Sequence, residues 1–133
     1  LKMGRVFFNT RKNVHALAAA YTVLASDSGK YFTIDQDAAF TVTLPADQEG
    51  LNFRFVLTDA GSNDVKIDSG ASNGMKGFSM DPTTGINAID NNLVKFASGT
   101  AVIGDYIECW NDGTTWWVES ISSATNGIVG ADS

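Results

Sequence analysis

Apolar side chains recur at every second position along much of this chain. Phe32 and Ile34 alternate with Tyr31, Thr33 and Asp35; Phe40, Val42 and Leu44 alternate with Thr41 and Thr43; Leu51, Phe53, Phe55 and Leu57 are separated by Asn52, Arg54 and Val56. A strand turns successive side chains to opposite faces, so each stretch predicts a half-buried β-strand. The pattern continues through residues 65–67, weakly through 75–80, and again through 93–96, 106–110 and 116–121. Pro45, the acidic stretch 47–50 ending in Gly50, and the polar segments 59–64, 69–74 and 81–85 punctuate it as turns. Eight to ten short strands at this spacing predict an all-β fold, a single antiparallel β-sandwich or β-barrel over residues 21–121. Phe32, Ile34, Phe40, Val42, Leu44, Phe53, Phe55, Ile107, Cys109, Trp116 and Val118 are its expected core.

The ends read differently. Residues 1–20 hold Arg5, Val6, Phe7 and Phe8, then polar residues including Arg11 and Lys12, then an Ala-rich stretch long enough for only two helical turns. An extended N-terminal arm is the expectation. Residues 122–133 are small and polar apart from Ile128 and Val129, and predict a loose tail.

The sharpest local signal is a hairpin across Asp112-Gly113. A two-residue type I′ turn there would set Cys109 opposite Trp116 and Ile107 opposite Val118, making one face wholly apolar. The other face would carry Tyr106, Glu108, Trp110, Trp117 and Glu119. Large aromatics beside carboxylates on a partly exposed sheet point to a surface that meets a protein or a sugar.

Charge sharpens the division between arm and body. Lys2, Arg5, Arg11 and Lys12 give the first 26 residues +4 with no acid, and the rest, with the other five bases and all 15 acids, carries −10. Such a body repels a phosphate backbone, so nucleic acid is not an expected partner. The arm's charges are either solvated at a terminus or suited to an acidic protein surface. No apolar run reaches the length of a membrane helix, and no membrane partner is expected. One cysteine excludes an intrachain disulfide, and with one histidine it cannot complete the usual zinc sets. His15 lies in the arm with no nucleophile-elbow serine, so no triad is indicated. The glycine-rich stretch 70–77 has no Ser or Thr after Lys76 and reads as a loop, not a phosphate cradle. Asp35, Asp37 and the acids of 59–64 lack the spacing of an EF-hand and read as turn caps. Neither an enzyme nor a cofactor nor a metal is expected.

Several motifs carry a resemblance. Ala25-Ser26-Asp27-Ser28-Gly29-Lys30-Tyr31-Phe32, Thr41-Val42-Thr43-Leu44-Pro45 and Gly50-Leu51-Asn52-Phe53-Arg54-Phe55-Val56 are followed by Ile103-Gly104-Asp105-Tyr106 and Asp112-Gly113-Thr114-Thr115-Trp116-Trp117-Val118. Together they resemble a surface β-module of tailed-bacteriophage virion proteins, most like a small capsid decoration (cement) protein. The resemblance implies a structural protein assembled in the host cytoplasm and carried on the outer capsid surface. There it would bridge subunits of the major capsid protein, as a homotrimer. Arg5, Val6, Phe7, Phe8, Arg11 and Lys12 would bind the partner through the arm, and Tyr106, Trp110 and Trp117 would form an oligomer or ligand face. The alternative is a tail-fibre or carbohydrate- or receptor-binding module in which Trp110 and Trp117 stack on sugar rings.

Overall fold

In the computed structural model, which describes residues 11–132, the alternating stretches become strands with one buried face. In chain order they are β1 (Val14–Leu17), β2 (Tyr21–Thr22), β3 (Tyr31–Asp35), β4 (Phe40–Thr43), β5 (Asn52–Asp59) and β6 (Val65–Asp68). These are followed by β7 (Met75–Asp81), β8 (Gly85–Asn91), β9 (Leu93–Phe96), β10 (Tyr106–Asn111), β11 (Trp116–Ile121) and β12 (Ile128–Ala131). A seven-stranded sheet in the order β1-β3-β5-β10-β11-β7-β8 packs on a five-stranded sheet in the order β12-β9-β6-β4-β2.

The fold is therefore the all-β sandwich, one of the two expected architectures, with the strand direction corrected. The sheets are open, not closed into a barrel, and they are mixed, not antiparallel. From β1 to β6 the chain alternates between sheets, so each return to a sheet runs in the same direction as the strand before it. The pairs β1/β3, β3/β5, β2/β4 and β4/β6 are consequently parallel. Among the described residues only β7/β8 and β10/β11 are hairpins of consecutive strands within one sheet. Alternation along a strand tells which side chains are buried; it carries no information about which sheet the strand joins.

The inner faces meet in one core. All eleven expected core residues are buried, among them Phe32, Phe55 and Ile107 with no exposed surface. Phe32 stacks on Phe55 with ring centroids 5.2 Å apart, and Phe53 lies 5.9 Å from Trp116, which links β3, β5 and β11 through their side chains. Burial of these rings drives the two sheets together.

Both ends depart from expectation. Residues 14–17, within the expected arm, form an edge strand paired with β3 and bury Leu17, and residues 128–131, within the expected tail, form the edge strand β12 paired with β9. Arg5, Val6, Phe7 and Phe8 lie outside the described residues.

Trp116 is the largest fully buried side chain, 1% exposed. Trp116→Ala should cost about 3–5 kcal/mol, read from equilibrium chemical unfolding. A loss of about 1 kcal/mol or less, the ordinary cost of a surface change, would contradict its place in the core.

Candidate functional site

The outward-facing side chains of the seven-stranded sheet can be placed in rows from the strand registers. One row runs Tyr31, Arg54, Glu108, Glu119, Phe78, Ala88 across β3, β5, β10, β11, β7 and β8. The next runs Asn52, Trp110, Trp117, Lys76, Asp90, and the one beyond Tyr106 runs Val56, Tyr106, Ile121, Met80, Ile86. Trp110 is 52% exposed, Trp117 36% and Ile86 70%. Among the described residues nothing covers this face.

The hairpin that brings the tryptophans together differs from the expected one. Asn111 pairs with Trp116, Cys109 with Val118 and Trp110 with Trp117, so residues 112–115 form a four-residue loop. The Asp112 carboxylate is the reason. Its Oδ1 accepts the Thr114 and Thr115 amides at 2.9 Å each and the Thr114 hydroxyl at 3.0 Å, holding the chain in a wider loop than a two-residue turn allows. A register change of two residues keeps every side chain on its face, which is why the core assignment survived. It changes the neighbours across the pair: Trp110 faces Trp117 in place of Thr115, and Glu108 faces Glu119 in place of Trp117.

The two indole rings lie 6.3 Å apart between centroids and 32° from coplanar. Trp117 is fixed by its own loop, its Nε1–H donating to Asp112 Oδ2 at 2.9 Å. That bond, followed by the Thr114 and Thr115 amides, lowers the Asp112 carboxyl to about 2. The loop is anchored in turn by buried Asn111, whose Nδ2 donates to Asp47 Oδ1 at 2.8 Å and whose Oδ1 accepts the Gly113 amide at 2.7 Å.

Around the rings is a shallow cleft of about 410 Å³ bounded by Gly77, Phe78, Glu108, Trp110, Trp117, Val118 and Glu119. Gly77 has φ +144°, and a Cβ there would lie 2.0 Å from the Val118 carbonyl oxygen, so only glycine permits this approach of β7 to β11. Glu108 is held from one side by Arg54, whose Nη1 donates to Oε2 at 3.1 Å. The Arg54 guanidinium lies over the Tyr106 ring at 4.0 Å and over Tyr31 at 5.6 Å, and Lys12 reaches the same Tyr31 ring at 5.0 Å. Burial, and then the charge of Glu119, push the Tyr106 phenol up from its ordinary value. The face is thus basic towards β1 and aromatic and acidic across β10 and β11.

Of the residues singled out from sequence, Tyr106, Trp110 and Trp117 share this face, and Lys12 reaches its β1 side. Arg11 is exposed at the start of the described chain. The sequence reading missed Gly77 and Phe78, because a parallel neighbour contributed by β7 leaves no local signal, and it missed the role of Asp112 as the tether of Trp117.

The remaining candidate groups are elsewhere. Cys109 is buried and its thiol is pushed far up by burial, as a core side chain would be. His15 packs against Tyr21 at 4.8 Å and Phe32 at 5.6 Å between ring centroids. Asp35, Asp37 and Asp59 bring carboxylate oxygens within 4.8 Å of one another at the end of β3 and β5. Repulsion from Asp35 and then Asp59 raises the Asp37 carboxyl, while Asp35 caps the Asp37 amide at 2.9 Å. No family model, curated protein or solved structure matches the chain.

The Asp112 tether makes a prediction about acid. Its carboxyl is lower in the folded chain, at about 2, than the ordinary value of about 3.9 in an unfolded one. Its contribution is therefore complete above the unfolded value and is lost as pH falls through the folded one. Asp112→Asn should lower stability at neutral pH and flatten the part of the acid-induced loss between about pH 4 and 2, read from thermal unfolding across that range. An unchanged pH profile in the variant would show that the tether carries no stability.

Proposed function

We propose that this chain is a structural module of a phage particle that decorates the outer capsid surface and bridges neighbouring coat subunits. The observation that carries the reading is the uncovered face of the seven-stranded sheet. Val14, Met80, Ile86, Trp110, Trp117 and Ile121 are all exposed on it, an apolar content that suits a protein whose work is contact. The motif resemblance supplies the kind of particle. A bridging protein stabilises a shell because its buried interface must be lost before the shell opens, and this mechanism needs no catalytic group.

Attachment is assigned to the N-terminal side. Residues 1–13 lead into β1, which among the described residues is an edge strand paired with β3, and β1 carries exposed Val14. A sheet edge offers unpaired backbone groups to a partner strand, and the positive charge of Lys2, Arg5, Arg11 and Lys12 adds attraction to an acidic coat surface. The homotrimer belongs to the same proposal, as the arrangement taken on the particle.

The test uses empty shells of the major coat protein encoded in the same genome. The intact chain should co-sediment with them and raise their thermal disruption temperature. Deleting residues 1–12, which spares β1 and buried Leu17, should leave the module's own unfolding nearly unchanged and strongly weaken co-sedimentation. Replacing Lys2, Arg5, Arg11 and Lys12 by Gln should weaken it less, and the difference should fade at high salt because exposed charges are screened. Failure of the intact chain to bind or stabilise the shells would overturn the reading; undiminished binding by the truncated chain would move attachment to the β-body.

A further inference from the structure

The cleft over β10, β11 and β7 has a composition of its own. Its walls are two exposed indoles and the half-buried ring of Phe78, and its polar side chains are the carboxylates of Glu108 and Glu119. No lysine or arginine bounds it. Two cations beside it are already paired: Arg54 reaches Glu108 from the β5 side and lies over Tyr106, and Lys76 pairs with Asp90 at 2.6 Å. A ligand suited to this cleft must offer flat apolar C–H faces to the rings and hydrogen-bond donors to the carboxylates, and must carry no negative charge.

We propose that the cleft binds a neutral glycan, with Trp110 and Trp117 stacking on sugar rings and Glu108 and Glu119 accepting from sugar hydroxyls. A pyranose presents an apolar face and a rim of hydroxyl donors in one rigid unit, which matches both halves of the site. The volume of about 410 Å³ lies in the range of small-ligand clefts. Preorganisation favours binding: the Asp112 bond at 2.9 Å fixes Trp117 before any ligand arrives, so less rotamer freedom remains to be lost. Anionic polysaccharides are disfavoured chiefly by the Glu119 carboxylate, since Glu108 is paired with Arg54. A basic peptide would satisfy the carboxylates, but Arg54 already engages Glu108, which weakens the charge on which such a partner would depend.

The site lies across β10, β11 and β7, separated from the edge strand β1 by β3 and β5. Glycan binding therefore does not depend on attachment to a capsid, and the two can fail separately.

The experiment is a titration of the isolated full chain with neutral glucan, mannan and galactan, followed by tryptophan emission and calorimetry. Polygalacturonate and oligolysine serve as charged comparisons. At least one neutral polysaccharide should bind and shift the emission, and polygalacturonate should not. Trp110→Ala and Trp117→Ala should each weaken binding by about tenfold or more, the loss expected of an aromatic anchor. Both should keep the wild-type far-ultraviolet spectrum and chemical unfolding midpoint. Glu119→Gln should weaken binding less, because an amide oxygen still accepts. Binding to none of the neutral polysaccharides would overturn the proposal, as would binding indifferent to both tryptophans. Preferential binding of oligolysine would overturn it in favour of a basic protein partner.

Discussion

The two-residue period of a β-strand, applied to β10 and β11, fixes most of what is distinctive here. Ile107, Cys109, Trp116 and Val118 must be inside, because the core between the sheets is completed by them. Their sequence neighbours Glu108, Trp110, Trp117 and Glu119 are then turned outward, whatever the cost of exposing two indoles. Trp116 and Trp117 are adjacent in sequence yet lie on opposite sides of the sheet, one in the core and one on the surface. A register change of one residue would exchange them and empty the core of its largest ring.

Turns made by buried or half-buried carboxylates hold this arrangement. Asp81 accepts the Thr83 and Thr84 amides at 2.9 and 2.8 Å at the β7/β8 turn, and Asp105 accepts the Val102 amide at 2.8 Å and the Ser122 hydroxyl at 2.6 Å. Asp27 accepts from Tyr21, from the Leu24 amide and from Lys30 at 2.9, 3.0 and 2.7 Å. Much of the acidity of the body is thus structural, consumed in satisfying backbone amides that no strand partner reaches. The hydroxyl bond from Thr84 and then its amide draw the Asp81 carboxyl far below its ordinary value. On the outer face the acids have different surroundings: Glu108 and Glu119 sit among rings and a guanidinium, not at a turn.

The burial pattern was legible because it is a local property of each strand. Phe32 and Ile34 or Phe53 and Phe55 declare their face within a few residues, and each is buried. Strand partners were not legible, because a chain that alternates between sheets gives the same pattern as one that folds into hairpins. β8 was missed since it is an edge strand with only Ile89 buried, and an edge leaves little alternation to read. β12 was missed because Gly130 and Ala131 give it little apolar weight. Trp110 and Trp117 were legible as a pair on one face. The cleft between them was not, because it needs Gly77 and Phe78 from a strand some forty residues earlier, and a loop geometry set by one carboxylate.

Collisional quenching of tryptophan emission by acrylamide, with and without a bound neutral polysaccharide, bears most directly on the claim that parity builds a core on one side of β11 and a binding surface on the other. Trp110→Phe and Trp117→Phe variants assign the components. The account predicts an accessible fraction belonging to Trp110 and Trp117, shielded by the polysaccharide, and an inaccessible fraction belonging to Trp116 that the polysaccharide leaves unchanged. Equal quenching of all three tryptophans, or an accessible fraction that no neutral polysaccharide shields, would contradict it.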